Sequence, residues 1–147
     1  MLNIPYLYYD NSYYGVVFKE NPFLYITLGG DYTQMGSYNL AADNAAKRLN
    51  VKVEGTMSEK DAGGFIEQYN QIVSTFDPTE YEIVLDCTTL NVSTSDVLPM
   101  LEQCYILYKQ SGFHKVVFTI AKNPVLKMQL GRVARSTKLE NYEIIEL

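Results

Sequence analysis

Between Tyr81 and Cys104 the chain reads YEIVLDCTTLNVSTSDVLPMLEQC. A short apolar run ends in a carboxylate, a polar loop follows, and a Ser/Thr cluster opens an amphipathic helix. A strand that passes directly into a helix belongs to an α/β architecture. In such folds the junction lies at the carboxyl edge of the sheet, where sites are built. The stretch shows where a site would sit, yet it carries no recognisable catalytic set.

The flanking segments repeat the pattern. Ser58 and Asp61 have capping-box spacing, with Asp in place of Glu or Gln. Ala62, Phe65, Ile66, Tyr69, Ile72, Val73 and Phe76 then recur at helical spacing, and Asp77-Pro78 ends the helix. The Gly63-Gly64 pair costs about 1 kcal/mol per residue in propensity, which close packing against a neighbour would justify. Glu82 to Asp86 reads as a strand with Ile83, Val84 and Leu85 buried on both faces. A second helix opens near Ser95, with Pro99 in its first turn, a stripe of Leu98, Leu101, Tyr105 and Tyr108, and Gly112 as its stop.

Lys115 to Ile120 is the next strand, and Asn123-Pro124 starts a third helix that buries Leu126, Leu130, Val133 and Ala134. Tyr142 to Glu146 makes a terminal strand. Upstream, Ser37 to Asp43 and Lys47 to Gly55 read as two strands joined around Asp43-Asn44. In LNVKVEG, Leu49, Val51 and Val53 share one face and Asn50, Lys52 and Glu54 the other, so one face is covered. The predicted order is ββαβαβαβ, an α/β fold with a mixed sheet of about four to six strands and helices returning between parallel strands.

A length of 147 residues suits one domain, assigned here to residues 37–147. Residues 1–36 differ in character, because eight of the thirteen tyrosines lie at or before Tyr38 and no helical stripe occurs. Gly15 to Lys19 and Phe23 to Leu28 fit a hairpin around Glu20-Asn21-Pro22, closed by Gly29-Gly30. Such a β extension is either a further sheet edge or an arm on a partner, and a homodimer through these strands is compatible with it. No apolar run reaches bilayer length and the first residues lack signal-peptide features, so a cytoplasmic location is expected. Cys87 and Cys104 are expected to be buried reduced thiols, and with one His they are too few for a zinc site. No cofactor or metal is expected.

Charge is unevenly spread. Between Glu102 and Glu140 there are seven Lys or Arg and no acid, so that segment carries +7 and the remainder −12 of a net −5. Overall acidity argues against nucleic acid as a general partner, while a local basic face survives. On the third helix Lys127, Arg132 and Arg135 lie away from the buried stripe and offer a contact surface. An acidic protein surface, an anionic lipid or the chain's own acidic segments would complement it.

Other chemistry-bearing residues are sparse. Asp86, Thr88, Ser93 and Asn123 are the candidate lining of a ligand pocket near the strand ends. Asp86 is also a candidate base or metal ligand, or a plain acceptor for the following loop. Ser93, Thr94 and Ser95 could form an anion pocket at a helix start, and one of them is expected to cap the helix. His114 stands before a strand without an acidic or Cys neighbour, and Gly29-Gly30-Asp31 lacks a phosphate-loop lysine.

From about Ser37 onward, LNVKVEGTMS, YEIVLDCTTLNVSTSDV and GFHKVVFTIAKNPVLKMQLGRVAR resemble the STAS domain, the SpoIIAA-like fold of bacterial anti-sigma-factor antagonists. That resemblance implies a regulatory, protein-binding module without catalysis. Members of the family carry Asp-Ser-Ser-Gly at the start of the second helix, with a phosphorylated Ser. Here the matching stretch is Thr94-Ser95-Asp96-Val97, so Asp96 stands at the acceptor position. The implied docking residues are Ser93, Thr94, Ser95 and Asp96 with the basic third helix, facing a protein partner. The alternative is a small-molecule or lipid-binding domain. A partner module predicts an exposed apolar patch beside the second helix. A ligand binder predicts a pocket of several hundred Å³ lined by Tyr or Phe. An enzyme predicts perturbed carboxylates or His114 in such a pocket.

Overall fold

The computed structural model describes residues 35–147. The expected hairpin and its Gly29-Gly30-Asp31 turn lie outside them. Alternating burial builds the sheet: β1 (Ser37–Asp43) and β2 (Arg48–Gly55) form an antiparallel hairpin. Its turn is closed by Asp43 Oδ1, which accepts the Ala46 N–H at 3.0 Å. Lys47 takes a left-handed conformation there (φ 55°), so the strand begins one residue later than its sequence suggests.

Helix α1 (Glu59–Val73) starts at a reciprocal Ser58–Asp61 capping box. It ends before Phe76, which instead stacks on Tyr81 with ring centroids 4.2 Å apart. A short 3₁₀ turn, Pro78–Glu80, leads into β3 (Glu82–Leu90). Then follow α2 (Leu98–Ser111), β4 (Lys115–Ile120), α3 (Pro124–Thr137) and β5 (Tyr142–Glu146). The five strands lie in the order β1-β2-β3-β4-β5, and β2 through β5 run parallel. The α/β class and mixed sheet are therefore as the residue pattern predicts.

Each step from β2 to β5 moves to the adjacent strand in the same direction. With right-handed crossovers, all three helices then fall on one face. Contacts of α1 with α2 and of α2 with α3 agree with this. Beneath the helices, Leu49, Ile83 and Val116 stand side by side in register, each 0% exposed. Polar tips are anchored as well: the Tyr105 hydroxyl donates to the Leu130 carbonyl at 3.2 Å, and the Tyr69 hydroxyl lies 2.7 Å from Ser111 Oγ.

Two expectations change. Strand β3 does not stop at Asp86 but continues to Leu90. Lys52 pairs with Asp86 while Glu54 pairs with Thr89, so β3 carries one extra residue there, a β-bulge. The bulge switches the alternation: Ile83, Leu85 and Cys87 are buried, and then Leu90. Polar Thr88 and Thr89 disguise the strand as loop, yet Thr89 Oγ1 donates to Glu54 Oε2 across the ladder at 3.0 Å. Val84 is also only half-buried, because the helices cover one face and not both.

Candidate docking groove between two helices

The third helix carries two stripes. Leu126, Leu130, Val133 and Ala134 point into the core as expected. A second series at helical spacing, Val125, Met128, Gln129, Arg132 and Ser136, borders a groove whose other wall holds Leu98 and Glu102 of α2. The groove encloses about 290 Å³ and is lined mainly by apolar atoms, Val92 and Val133 included. Val125 is 56% exposed and Met128 52%. On α2, Ile106 is 40% exposed one turn beyond Glu102.

Gln129 joins the groove to the β3–α2 loop. Its Oε1 accepts the Ser93 N–H at 2.8 Å and its Nε2 donates to the Ser93 carbonyl at 2.9 Å. One amide thus satisfies both backbone groups of a loop residue, which free loop backbone requires. Sequence reasoning missed Gln129, because a Gln on a helix surface has no local signature of its distant partner.

The expected cap is corrected. Helix α2 starts at Leu98, three residues after Ser95, with Val97 in the N-cap position and no side-chain cap. Buried Val97 anchors the helix start instead. Thr94 Oγ1 donates to Asp96, and the Val97 N–H reaches the Thr94 carbonyl at 3.1 Å, so Thr94–Val97 form a turn before the helix. Thr94, Ser95 and Asp96 are exposed on that turn.

The basic residues of α3 separate. Lys127 Nζ lies 3.4 Å from Glu146 Oε1, on the flank facing β5. Likewise Lys115 pairs with Glu143 at 2.8 Å. Arg132 lies on the other flank, in the groove, its Nη2 3.7 Å from Met128 Sδ. Arg135 is exposed between those flanks, and neither arginine has an ion pair among the described residues. Glu102, across the groove, accepts from Ser136 Oγ at 3.3 Å.

The four residues of the ligand-pocket alternative are not gathered. Asp86 and Thr88 share the sheet face away from the helices, where Asp86 borders a shallow recess with Asn39, Asn50 and Lys52. Asp86 Oδ1 accepts both the Thr88 N–H at 3.0 Å and Thr88 Oγ1 at 2.7 Å. The Thr88 hydroxyl bond in particular holds its carboxyl below the ordinary 3.8, so Asp86 is an ionised acceptor that stabilises the bulge. Ser93 lies across the sheet, beside an apolar interior space of about 60 Å³ lined by Phe65, Tyr105, Tyr108 and Phe118. That volume is well under the roughly 300–1,000 Å³ of small-molecule sites. Asn123 is the α3 N-cap, accepting the Leu126 N–H at 3.0 Å.

Cys87 and Cys104 border the same interior space as buried free thiols, and burial pushes each up to about 12. His114 is exposed in the turn before β4. Among the described residues no three His, Cys, Asp or Glu side chains cluster to hold a metal, and no helix is long and apolar enough to cross a membrane. A scan against protein-family models gives no match for this chain, and a search of curated proteins gives none either.

Proposed function

We propose that this chain is a non-catalytic STAS-like interaction module that docks a protein partner along the edge formed by the β3–α2 loop and the α2–α3 groove. The observation that carries this reading is the pair of half-exposed apolar side chains, Val125 and Met128, on a groove flanked by polar groups. A contiguous exposed apolar patch with a polar rim is the usual mark of a protein contact. Burying the remaining surface of each is worth about 1 kcal/mol. That alone is too little for stable binding, which buries about 800 Å² per partner, so the contact must extend over the loop and α3.

Gln129 supports this extension by tying the Ser93 backbone of the β3–α2 loop to the α3 wall of the groove. Asp96 places a carboxylate where the resembled family carries a switchable Ser, so on this reading the module works without that switch. Two buried free thiols suit a reducing, cytoplasmic setting.

The test is affinity capture from native lysate of the source organism, followed by mass spectrometry, with the parent chain and a Met128→Asp variant side by side. The expected result is a protein retained by the parent and lost by the variant. A co-purifying small molecule with no protein partner would overturn the reading. A phosphorylated peptide containing Ser93 or Ser95 would restore the switch.

A further inference from the structure

We propose that the α2–α3 groove receives the apolar face of an amphipathic helix from a partner protein, with that helix's carboxylates lying along the α3 rim. This rests on the docking reading above and names the chemistry of the occupant.

Shape comes first. The groove is a furrow between two helices, and its α3 wall rises at helical spacing through Val125, Met128, Arg132 and Ser136. Leu98 and Glu102 provide the same pitch on α2. Ridges so spaced accept the ridges of a third helix. A helix in a groove is held by side chains at i, i+3, i+4 and i+7. An added strand would instead need a free sheet edge, and neither outer strand of the described sheet, β1 or β5, lines this furrow. At about 290 Å³ the space has room for a few anchoring side chains, and its lining contains none of the Tyr or Phe expected of a ligand pocket. Met128 adds an unbranched, polarisable thioether that adapts to what it meets.

Charge then selects the helix. No acid occurs between Glu102 and Glu140, so nothing on α3 itself can neutralise its arginines. Lys115 and Lys127 are already paired with Glu143 and Glu146 of β5. Arg132 lines the groove and Arg135 is exposed beyond its rim, and neither has an ion pair among the described residues. The single acid of the groove, Glu102, faces Arg132 from the α2 wall and takes a hydrogen bond from Ser136. The groove is thus polarised, positive on α3 and negative on α2. It fits a helix with acids on one flank only.

Two synthetic peptides of about 18 residues, five helical turns, test this. They share one apolar stripe and differ in carrying Glu or Lys along its flank. Fluorescence anisotropy against the full chain is expected to show binding of the Glu peptide, weakening as salt is raised, and none of the Lys peptide. Arg132→Glu and Met128→Asp are each expected to weaken the Glu peptide by about tenfold or more, and Arg132→Lys to retain most of the binding. Circular dichroism melts establish that the variants stay folded.

Equal binding of both peptides, binding of neither, or indifference to Met128→Asp would refute the proposal. Sedimentation with phosphatidylserine vesicles, lost in Arg132→Glu and without peptide binding, would refute it in favour of a lipid. A dimer broken by Met128→Asp, again without peptide binding, would refute it in favour of a second copy. Groove-dependent protein capture from lysate, combined with failure of the Glu peptide, would reject this occupant while leaving the docking module intact.

Discussion

Two side chains set the local geometry around the groove and the bulge, Gln129 and Asp86. Gln129 makes two hydrogen bonds to the Ser93 backbone, so Gln129→Ala removes both partners at once. The expected cost is about 1–2 kcal/mol, read as a lower melting temperature. Faster amide exchange at Ser93 should accompany it, since the loop loses these two hydrogen bonds to α3. Asp86 plays the matching part inside β3, where it takes the Thr88 N–H at the bulge. Cys87 and Cys104 are sealed in the core with their thiols pushed up to about 12 by burial. Neither should react with Ellman's reagent in the folded protein at neutral pH, and both should react once it is unfolded.

Elements differ in how well their ends suit them. In α1, a methyl group added at Gly63 would meet Met100 Cε at 3.8 Å, an ordinary contact. Close packing therefore does not explain that glycine. Gly63→Ala should stabilise the chain by about 1 kcal/mol through helix propensity. For a domain of this size that raises the melting temperature by about 2–4 °C. At the other end of the fold, α3 terminates on Lys138 in a left-handed conformation, φ 60°. Such a backbone costs a non-glycine residue about 1–2 kcal/mol. Glycine's extra entropy in the unfolded chain offsets about 0.5–1 kcal/mol of any relief. Lys138→Gly should accordingly gain about 0.5–1 kcal/mol in a denaturant titration. Helix α2 starts without a side-chain cap, and its position is held by buried Val97 and the preceding turn.

At the scale of the whole molecule, alkaline pH is the sensitive variable. Cys87 and Cys104 rise from an ordinary 9.0 to about 12, and Tyr69 from 10.0 to about 12, all chiefly through burial. Their folded values exceed their unfolded ones, so this stability is complete below about pH 9 and is lost as pH climbs toward 12. Melting temperature measured by circular dichroism should fall steadily across that window. If melting stays unchanged between pH 9 and 11, the thiols are not sealed as described. The same one-sided layering, three helices over one sheet face, leaves the groove as the break in the helical layer where apolar side chains meet solvent.

Most of this architecture follows from short-range chemistry. The Ser58–Asp61 capping box, the Asn123-Pro124 helix start, the Gly112 stop and the alternation in β2 each depend on residues a few positions apart. The sequence by itself therefore determined the element order, the helical core stripes and the strand-to-helix junctions. Tertiary structure decided the rest. The extension of β3 through Thr88 and Thr89 depends on pairing with Glu54 across the sheet, and a bulge has no local signature. Asp86 and Ser93 were near one another along the chain but fell on opposite sides of the sheet, because Asp86 projects from the uncovered face of β3 while the loop beyond Leu90 carries Ser93 to the helical side. Lys127 and Arg132, which looked like one basic face, parted when β5 brought Glu146 to one of them. The groove exists only where α2 and α3 meet, and Gln129 binds a loop thirty-six residues away. A contact between segments so far apart is set by packing, which local residue preferences do not encode.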